Sequence, residues 1–344
     1  MMKRKGLKKF LTSVLMGAMM VGLLTACGGS DESSGNDSSG SSDSSSDAGK
    51  ITLIMSQRDE WLSEMEEAAI EAADELGISL TTVDAQSDTS KQLQFIETAK
   101  NDGQKAVIIN MVDPETAAQC VEAAGDMKVI FVNRYPSDDS VLNENVVYVG
   151  SDENTSGYFQ GEYLSEVFAD EGEFSYILLN GIIGQTSTTL RTESVMKALE
   201  DNGITANEAT SPLACEYARE TAQDMIAPLL KTVDYDVIIS NNDSMALGAI
   251  EAMVAEGIDP SEVVIVGIDA STDGRQSVKD GTLDMTVFQD PKGQGKGALI
   301  AASNLINGNE LNEGSGYDID ETGFIVWVPF EPVTIDNVDD YDNR

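Results

Sequence analysis

The side chains of this 344-residue chain that are equipped for chemistry sit where short apolar runs stop. Val237, Ile238 and Ile239 give way to Ser240, Asn241, Asn242 and Asp243, after which Met245, Leu247, Ile250 and Val254 resume at helical spacing. A second run, Val263-Val-Ile-Val-Gly-Ile-Asp269, ends on a carboxylate. Earlier, Lys105-Ala-Val-Ile-Ile-Asn110 ends on an amide, and Val129-Ile-Phe-Val-Asn-Arg134 on an amide followed by a guanidinium. Such groups either cap the helix that follows or hold a polar solute by hydrogen bonds. From spacing alone, capping is the better account of Asn110, Asn242 and Asp243. Asp269 resists it, because a carboxylate closing an apolar strand must find donors or remain wet.

Other chemistries are excluded by residue type. The chain contains no histidine, which removes Ser-His-Asp and Cys-His nucleophilic schemes and the commonest transition-metal ligands. Cys120 and Cys215 fall in different halves and no Cys-x-x-Cys pair exists, so both read as buried free thiols, with a disulfide left open. Neither a cofactor nor a metal is expected.

A sheet is needed to fix these polar ends. Runs at 51–55, 79–83, 105–111, 129–133 and 146–150 are short and β-branched, and they alternate with helical patterns at 62–76, 92–101 and 114–124. After a helix at 154–168 the alternation restarts. Strands are expected at 174–180, 206–210, 236–240, 263–268 and 283–288, and helices at 194–201, 216–230, 244–256 and 295–307. This pattern specifies an α/β protein of two doubly wound parallel-sheet lobes. The predicted lobes are 50–153 with 290–326, and 154–289 with 327–344. The run at 283–288 is read as returning towards the first lobe, and the stretch Phe324–Phe330 as one strand crossing back to the second. Ligands of open parallel sheets bind at the carboxyl ends of strands. Asn110 and Asn133 on one lobe would therefore face Asn242 and Asp269 on the other across a cleft, with the crossing strands as a hinge for closure.

The amino terminus reads as an export signal over residues 1–26. Lys3, Arg4, Lys5, Lys8 and Lys9 precede an apolar run from Phe10 to Leu24 that is short for a bilayer span. Residues 27–49 are almost entirely Ser, Gly, Asp and Asn, a composition that cannot bury a core and serves as a flexible tether. The formal charge of −39 opposes nucleic acid and anionic surfaces. Hydrophobic content of 41% is that of a globular body.

The segments Ile109-Asn-Met-Val-Asp-Pro114, Ser240-Asn-Asn-Asp-Ser-Met-Ala-Leu-Gly248 and Val266-Gly-Ile-Asp269 resemble the bacterial sugar-binding proteins of ribose and galactose type, over essentially all of residues 50–335. These are type I periplasmic binding proteins, the solute receptors of ABC importers. The resemblance implies ligand contacts at Asp59, Trp61, Asn110, Arg134, Gln185, Arg191, Asn242, Asp269 and Gln289. It implies a monosaccharide ligand, hexose or pentose, with carboxylates and amides satisfying neighbouring hydroxyls, Arg191 donating in a planar fork and Trp61 covering the apolar face of the ring. Gln185 and Ser187 stand where galactose-type members carry histidine and aspartate, and among Cys215, Glu216 and Tyr217 only Tyr217 is aromatic. The calcium loop of galactose-type members has no counterpart between Phe168 and Phe174.

Leu24-Thr25-Ala26-Cys27 resembles the lipobox of bacterial lipoproteins, which makes Cys27 the lipidated first residue of a mature chain anchored to the outer face of the cell membrane. The implied partners are the transmembrane subunits of an ABC importer, with the receptor itself a monomer. A receptor kinase as the partner is an alternative, as is a polyol, nucleoside or furanosyl signal as the ligand. A glycosidase using Asp59 and Asp269 is a weaker one, because no motif binds the pair into a catalytic unit. A transcription regulator is excluded by the leader and by the lack of a basic helix-turn-helix before the first strand.

Overall fold

The computed structural model describes residues 49–342 and 344. The expected signal (1–26), Cys27 and the tether up to residue 48 lie outside the described residues.

The first run of elements is β1 (Lys50–Met55), α1 (Glu60–Leu76), β2 (Ser79–Asp84), α2 (Thr89–Asn101), β3 (Ala106–Ile109), α3 (Ala117–Ala124), β4 (Lys128–Val132) and β5 (Val146–Gly150). The second is α4 (Glu153–Val167), β6 (Glu173–Asn180), α5 (Thr186–Asp201), β7 (Thr205–Glu208), β8 (Leu213–Ala214), α6 (Arg219–Ile226), β9 (Val237–Ser240), α7 (Asp243–Ala255), β10 (Val264–Val266), α8 (Thr272–Asp280) and β11 (Met285–Gln289). The chain closes with α9 (Pro291–Asn307), β12 (Asp318–Ile319), β13 (Ile325–Trp327) and β14 (Phe330–Thr334).

Two sheets result. One has the order β12-β13-β5-β4-β3-β1-β2, the other β14-β11-β10-β9-β6-β7 with β8 also paired to β6. Pairing is parallel except for β12 with β13 and β11 with β14. Strands such as β3 (Ala-Val-Ile-Ile) and β9 (Val-Ile-Ile-Ser) are buried throughout, as expected where helices cover both faces. In the first lobe Ile51, Leu53 and Ile108 pack against Leu62 and Met65 of α1 and Leu299 of α9, whereas Ile54 and Ile109 face Ile96 of α2 and Cys120 of α3. Each such side chain contributes about 1.5–3 kcal/mol on burial, which fixes the helices against the sheet.

Register aligns the polar ends. Ile54 pairs with Ile109 and Ile109 with Phe131, so Ser56, Asn110 and Asn133 emerge at one edge of the first sheet. In the second, Ile239 pairs with both Leu178 and Val266, which brings Asn180, Asn241 and Asp269 to a common edge. Helix α5 is held close to α4, since a Cβ on Gly157 would lie 2.1 Å from the carbonyl oxygen of Arg191.

The stretch expected as one crossing strand at Phe324–Phe330 is two. Trp327 pairs with Gly150 in the first sheet, Phe330 pairs with Gln289 in the second, and Val328-Pro329 carries the chain between them. Pro329 has no N–H with which to continue a ladder. Residues 283–288 do not lead back as a strand either: β11 belongs to the second sheet, and the return is made by α9, which starts at Pro291 rather than at residue 295. Helix α5 begins at Thr186, eight residues before the expected start at 194. Helix α8 was not expected, because in Thr-Asp-Gly-Arg-Gln-Ser-Val-Lys-Asp only Val278 carries an apolar side chain to the core.

Candidate functional site

Between the two sheets lies a cavity of about 100 Å³, lined from the first lobe by Asp59, Glu60, Trp61, Leu62, Asn133 and Arg134, and from the second by Glu153, Gln185, Ser187, Arg191, Tyr217, Asn242, Ser244, Asp269, Ser271 and Gln289. A larger, open groove of about 570 Å³ lies at the opposite, amino-terminal edge of the first sheet, between Lys100, Lys105, Lys128 and Ile306. It contains none of the expected site residues.

Asp59 caps α1, accepting from the backbone N–H of Leu62 at 2.8 Å. Two residues on, Trp61 of the same helix donates its indole N–H to the carbonyl oxygen of Gln289 at 3.0 Å, a bond that joins the lobes. Arg134 follows Asn133, a non-glycine residue at φ 66°, and its Nη1 donates to the carbonyls of Met111 and Val112. Gln185 precedes α5, is 8% exposed, and makes no capping bond with its side chain. Asn242 caps α7 by accepting from the N–H of Met245 at 3.0 Å and still lines the cavity. Capping and lining therefore coincide in Asn242, for which spacing left the two roles as alternatives, and in Asp59 as well.

Arg191 is 5% exposed and works as a hub. Its Nε donates to Glu153 Oε2 at 2.6 Å and its Nη2 to Glu153 Oε1 at 3.1 Å, while Nη1 donates to the carbonyl oxygen of Asn241 at 2.7 Å. Asp269 Oδ1 stands 3.9 Å from Nη1. Burial alone lowers the guanidinium pKa, but Glu153 above all, with Tyr217 and then Asp269, outweighs it and holds Arg191 firmly charged. Burial pushes the Asp269 carboxyl well above the usual range; Arg191 opposes that shift, and the neighbouring Asp243 and Asp59 add to it. The fork of Arg191 is thus mostly occupied by protein groups, unlike the free fork the sequence suggested, because Glu153 opens α4 directly beneath it.

Gln289 ends β11 at 3% exposure. Its Oε1 accepts from Arg191 Nη2 at 3.4 Å, and its buried Nε2 has no hydrogen-bond partner. An orphaned donor of this kind costs about 1–3 kcal/mol unless something in the cavity accepts from it.

Asn110, expected as a contact, does not line the cavity. It is fully buried. Its Oδ1 accepts from the N–H of Ser56 at 3.2 Å and its hydroxyl at 2.6 Å, while Nδ2 donates to the Val132 carbonyl and to Asn133 Oδ1. Both ends of the amide are engaged by protein groups. The neighbouring strand end, Asn133, occupies the lining instead.

Glu153 and Tyr217 are among the other lining residues that the contact set lacked, with Glu60, Leu62, Ser187, Ser244 and Ser271. Glu153 had a signal: an acid immediately after a strand end, at the start of a helix, opposite an arginine that needs a partner. Tyr217 sits at φ 61° with its ring over Gly181, where a Cβ would come within 2.1 Å of Cζ, and its hydroxyl meets Ser187 and Thr188 at 2.9 and 2.8 Å. Cys120 and Cys215 are buried and free.

Two parallel-sheet lobes with their strand ends turned onto one interlobe cavity define a class of binding protein rather than a particular chemistry. Residues 51–310 match the model of the periplasmic binding protein domain family. The chain belongs to that family. It is 31% identical over 279 residues to the D-galactose/methyl-galactoside binding periplasmic protein MglB of Haemophilus influenzae, covering 77% of this chain and 82% of that one. To the ribose import binding protein RbsB of the same organism it is 28% identical over 250 residues, covering 72% and 82%. An ABC transporter solute binding protein of Bacillus halodurans, solved with bound myo-inositol, superposes with a TM-score of 0.73 at 28% identity over 86% of this chain and 98% of that one.

Proposed function

We propose that this protein is an extracytoplasmic solute receptor that encloses a monosaccharide or a ring polyol of similar size between its lobes and hands it to an ABC importer. The observation that supports this reading is that Gln289, whose buried Nε2 has no hydrogen-bond partner, lines a cavity whose other polar groups are fixed to strand and helix ends of both lobes. A hydroxyl both accepts and donates, so one sugar hydroxyl can take the Gln289 proton while giving its own to Asp269. Bonds to the carboxylates and to Arg134 are charge-assisted, which offsets the loss of hydration of a polar ring. The ligand touches both lobes only when they are together, so it stabilises the closed arrangement by the difference in its affinity for the two. The protein performs no reaction on its ligand.

Membrane attachment through Cys27, after removal of residues 1–26, is part of the same proposal and rests on the sequence. Cys27→Ser should release the protein from membranes. Retention of that variant in the membrane fraction would refute the anchor without touching the binding function.

The binding function is tested by titrating the mature chain with D-ribose, D-galactose, D-glucose, D-allose and myo-inositol under calorimetry. Micromolar or tighter binding of one of them is expected. Silence across the panel, with the protein folded, would count against a sugar receptor.

A further inference from the structure

Asp243 has no place in the cavity lining, yet it is the most completely enclosed carboxylate beside it. It is the first residue of α7 and has no exposed surface. Its Oδ1 accepts the hydroxyl proton of Thr286 at 2.6 Å, and its Oδ2 accepts the backbone N–H of Ser271 at 2.8 Å. Thr286 in turn accepts the N–H of Ala270 at 3.1 Å. The backbone N–H of Asp243 donates to the carbonyl of Ile268 at 2.7 Å. One residue thus holds, directly or through Thr286, the chain on both sides of Asp269.

The held segment is strained. Asp269 has φ 120° and Ala270 φ 49°, two successive non-glycine residues in positive-φ backbone. Each costs on the order of 1–3 kcal/mol and persists only where its surroundings over-determine it. The space around the carboxylate is also specific to it: a Cβ at Gly267 would lie 2.3 Å from Oδ1 and one at Gly274 would lie 2.1 Å from Oδ2.

We infer that Asp243 is a positioning residue for the binding site: through Ser271 and the Thr286 hydroxyl it fixes the strained Ile268–Ser271 turn that aims Asp269 at the ligand. The inference rests on the receptor function proposed above. Asp243 itself never touches the ligand. Its effect on affinity passes mainly through Asp269, which separates it from a residue that merely stabilises the lobe. Asparagine at 243 keeps the volume but replaces one acceptor with a donor, so either the Ser271 N–H or the Thr286 hydroxyl loses its partner. Valine at 286 keeps the shape and strands the Ala270 N–H.

The test uses the full mature chain and two readouts. Amide exchange at Ala270 and Ser271, followed by NMR without ligand, should accelerate at least tenfold in Asp243→Asn and at Ala270 in Thr286→Val. Exchange in β9 and β10 should change far less. Affinity for the tightest binder among D-ribose, D-galactose and myo-inositol should fall at least tenfold in Asp243→Asn, and by much less when Asp269→Asn is already present. Unchanged exchange at both amides would overturn the proposal, as would an equal loss of affinity in both backgrounds. Should Asp243→Asn fail to fold, Thr286→Val carries the same two readouts. If neither these three ligands nor D-glucose or D-allose binds the wild type, the receptor function fails and the exchange rates alone decide the positioning role.

Discussion

The two lobes share a winding but secure their strand ends by opposite means. In the first lobe the ends are tied by neutral groups in series. Ser56 donates to Asn110, Asn110 to Asn133, Asn133 to Gln294 of α9, and Gln294 to Ser151 at the crossing into the second lobe. In the second lobe the ends are tied by buried ionisable groups: the Glu153–Arg191 ion pair, with the carboxyl of Asp269 beside it and that of Asp243 behind. The difference predicts how each lobe fails. A neutral chain loses one link at a time, whereas a buried ion cluster that loses its only cation is left with charges that have no counter-ion.

Arg191→Met is therefore the harshest single change available at the site. It strands Glu153, whose side chain is 6% exposed, and deprives Asp269 of the guanidinium 3.9 Å away. Breaking a buried pair in this way costs about 3–5 kcal/mol. Urea unfolding should show a loss of that size together with loss of sugar binding, and the double variant Arg191→Met with Glu153→Gln should recover part of the stability but not the binding. A stable single variant would mean that the cluster is wetter than the structure shows.

Asn110→Ala tests the neutral side of the comparison. It removes the acceptor of Ser56 and the donor to Val132 and Asn133, at a cost of about 1–3 kcal/mol in unfolding free energy. Since Asn110 does not reach the cavity, the dissociation constant should move less than it does in Asn133→Ala, whose side chain lines it. The reverse order of effects would restore Asn110 to the contact set.

The acidity of the second lobe sharpens the contrast further. Burial pushes the Asp243 carboxyl up to about 7, with Thr286 and Ser271 pulling the other way. A carboxyl whose folded pKa lies above its unfolded value near 3.9 contributes stability that is complete below the unfolded value and is lost as pH rises through the folded one. Thermal midpoints should accordingly decline between about pH 4 and about pH 7, and the decline should be shallower in Asp243→Asn. The first lobe offers no comparable group among its strand-end ties, so Gln294→Ala should shift the midpoint equally at both pH values.

Much of this was legible because the signals are local. Runs such as Val237–Ile239 and Ala106–Ile109 specify buried parallel strands by residue type, and the residue that follows each is placed at a sheet edge by topology alone. Eight of the nine contact residues that the resemblance implied line the cavity. What sequence could not supply is direction. Asn110 and Asn133 end neighbouring strands with the same side chain, and only the positive φ of Asn133 turns one into the cavity while the other is consumed by Ser56. The occupied fork of Arg191 was hidden for a related reason, since Glu153 lies 38 residues away and meets it only after α4 and α5 pack. The break at Val328-Pro329 escaped notice because the residues on both sides are apolar and β-forming; the proline was the one available sign.

The mildest change bears on a direct hydrogen bond between the two lobes. Trp61 stands on α1 of the first lobe and donates to the carbonyl of Gln289, the last residue of β11 before the chain crosses at Asp290 into α9. Trp61→Phe keeps an aromatic face towards the cavity and deletes only this donor. A neutral hydrogen bond contributes about 0.5–1.5 kcal/mol, so the expected effect is a weakening of sugar affinity by roughly two- to tenfold with little change in the unfolding midpoint. The bond joins elements that move relative to each other in hinge closure, so its loss should appear mainly as faster ligand release, measured by stopped flow with the remaining Trp327 as reporter. If instead the association rate falls while release is unchanged, the bond exists before ligand arrives, and Trp61 holds the lobes together in the empty protein.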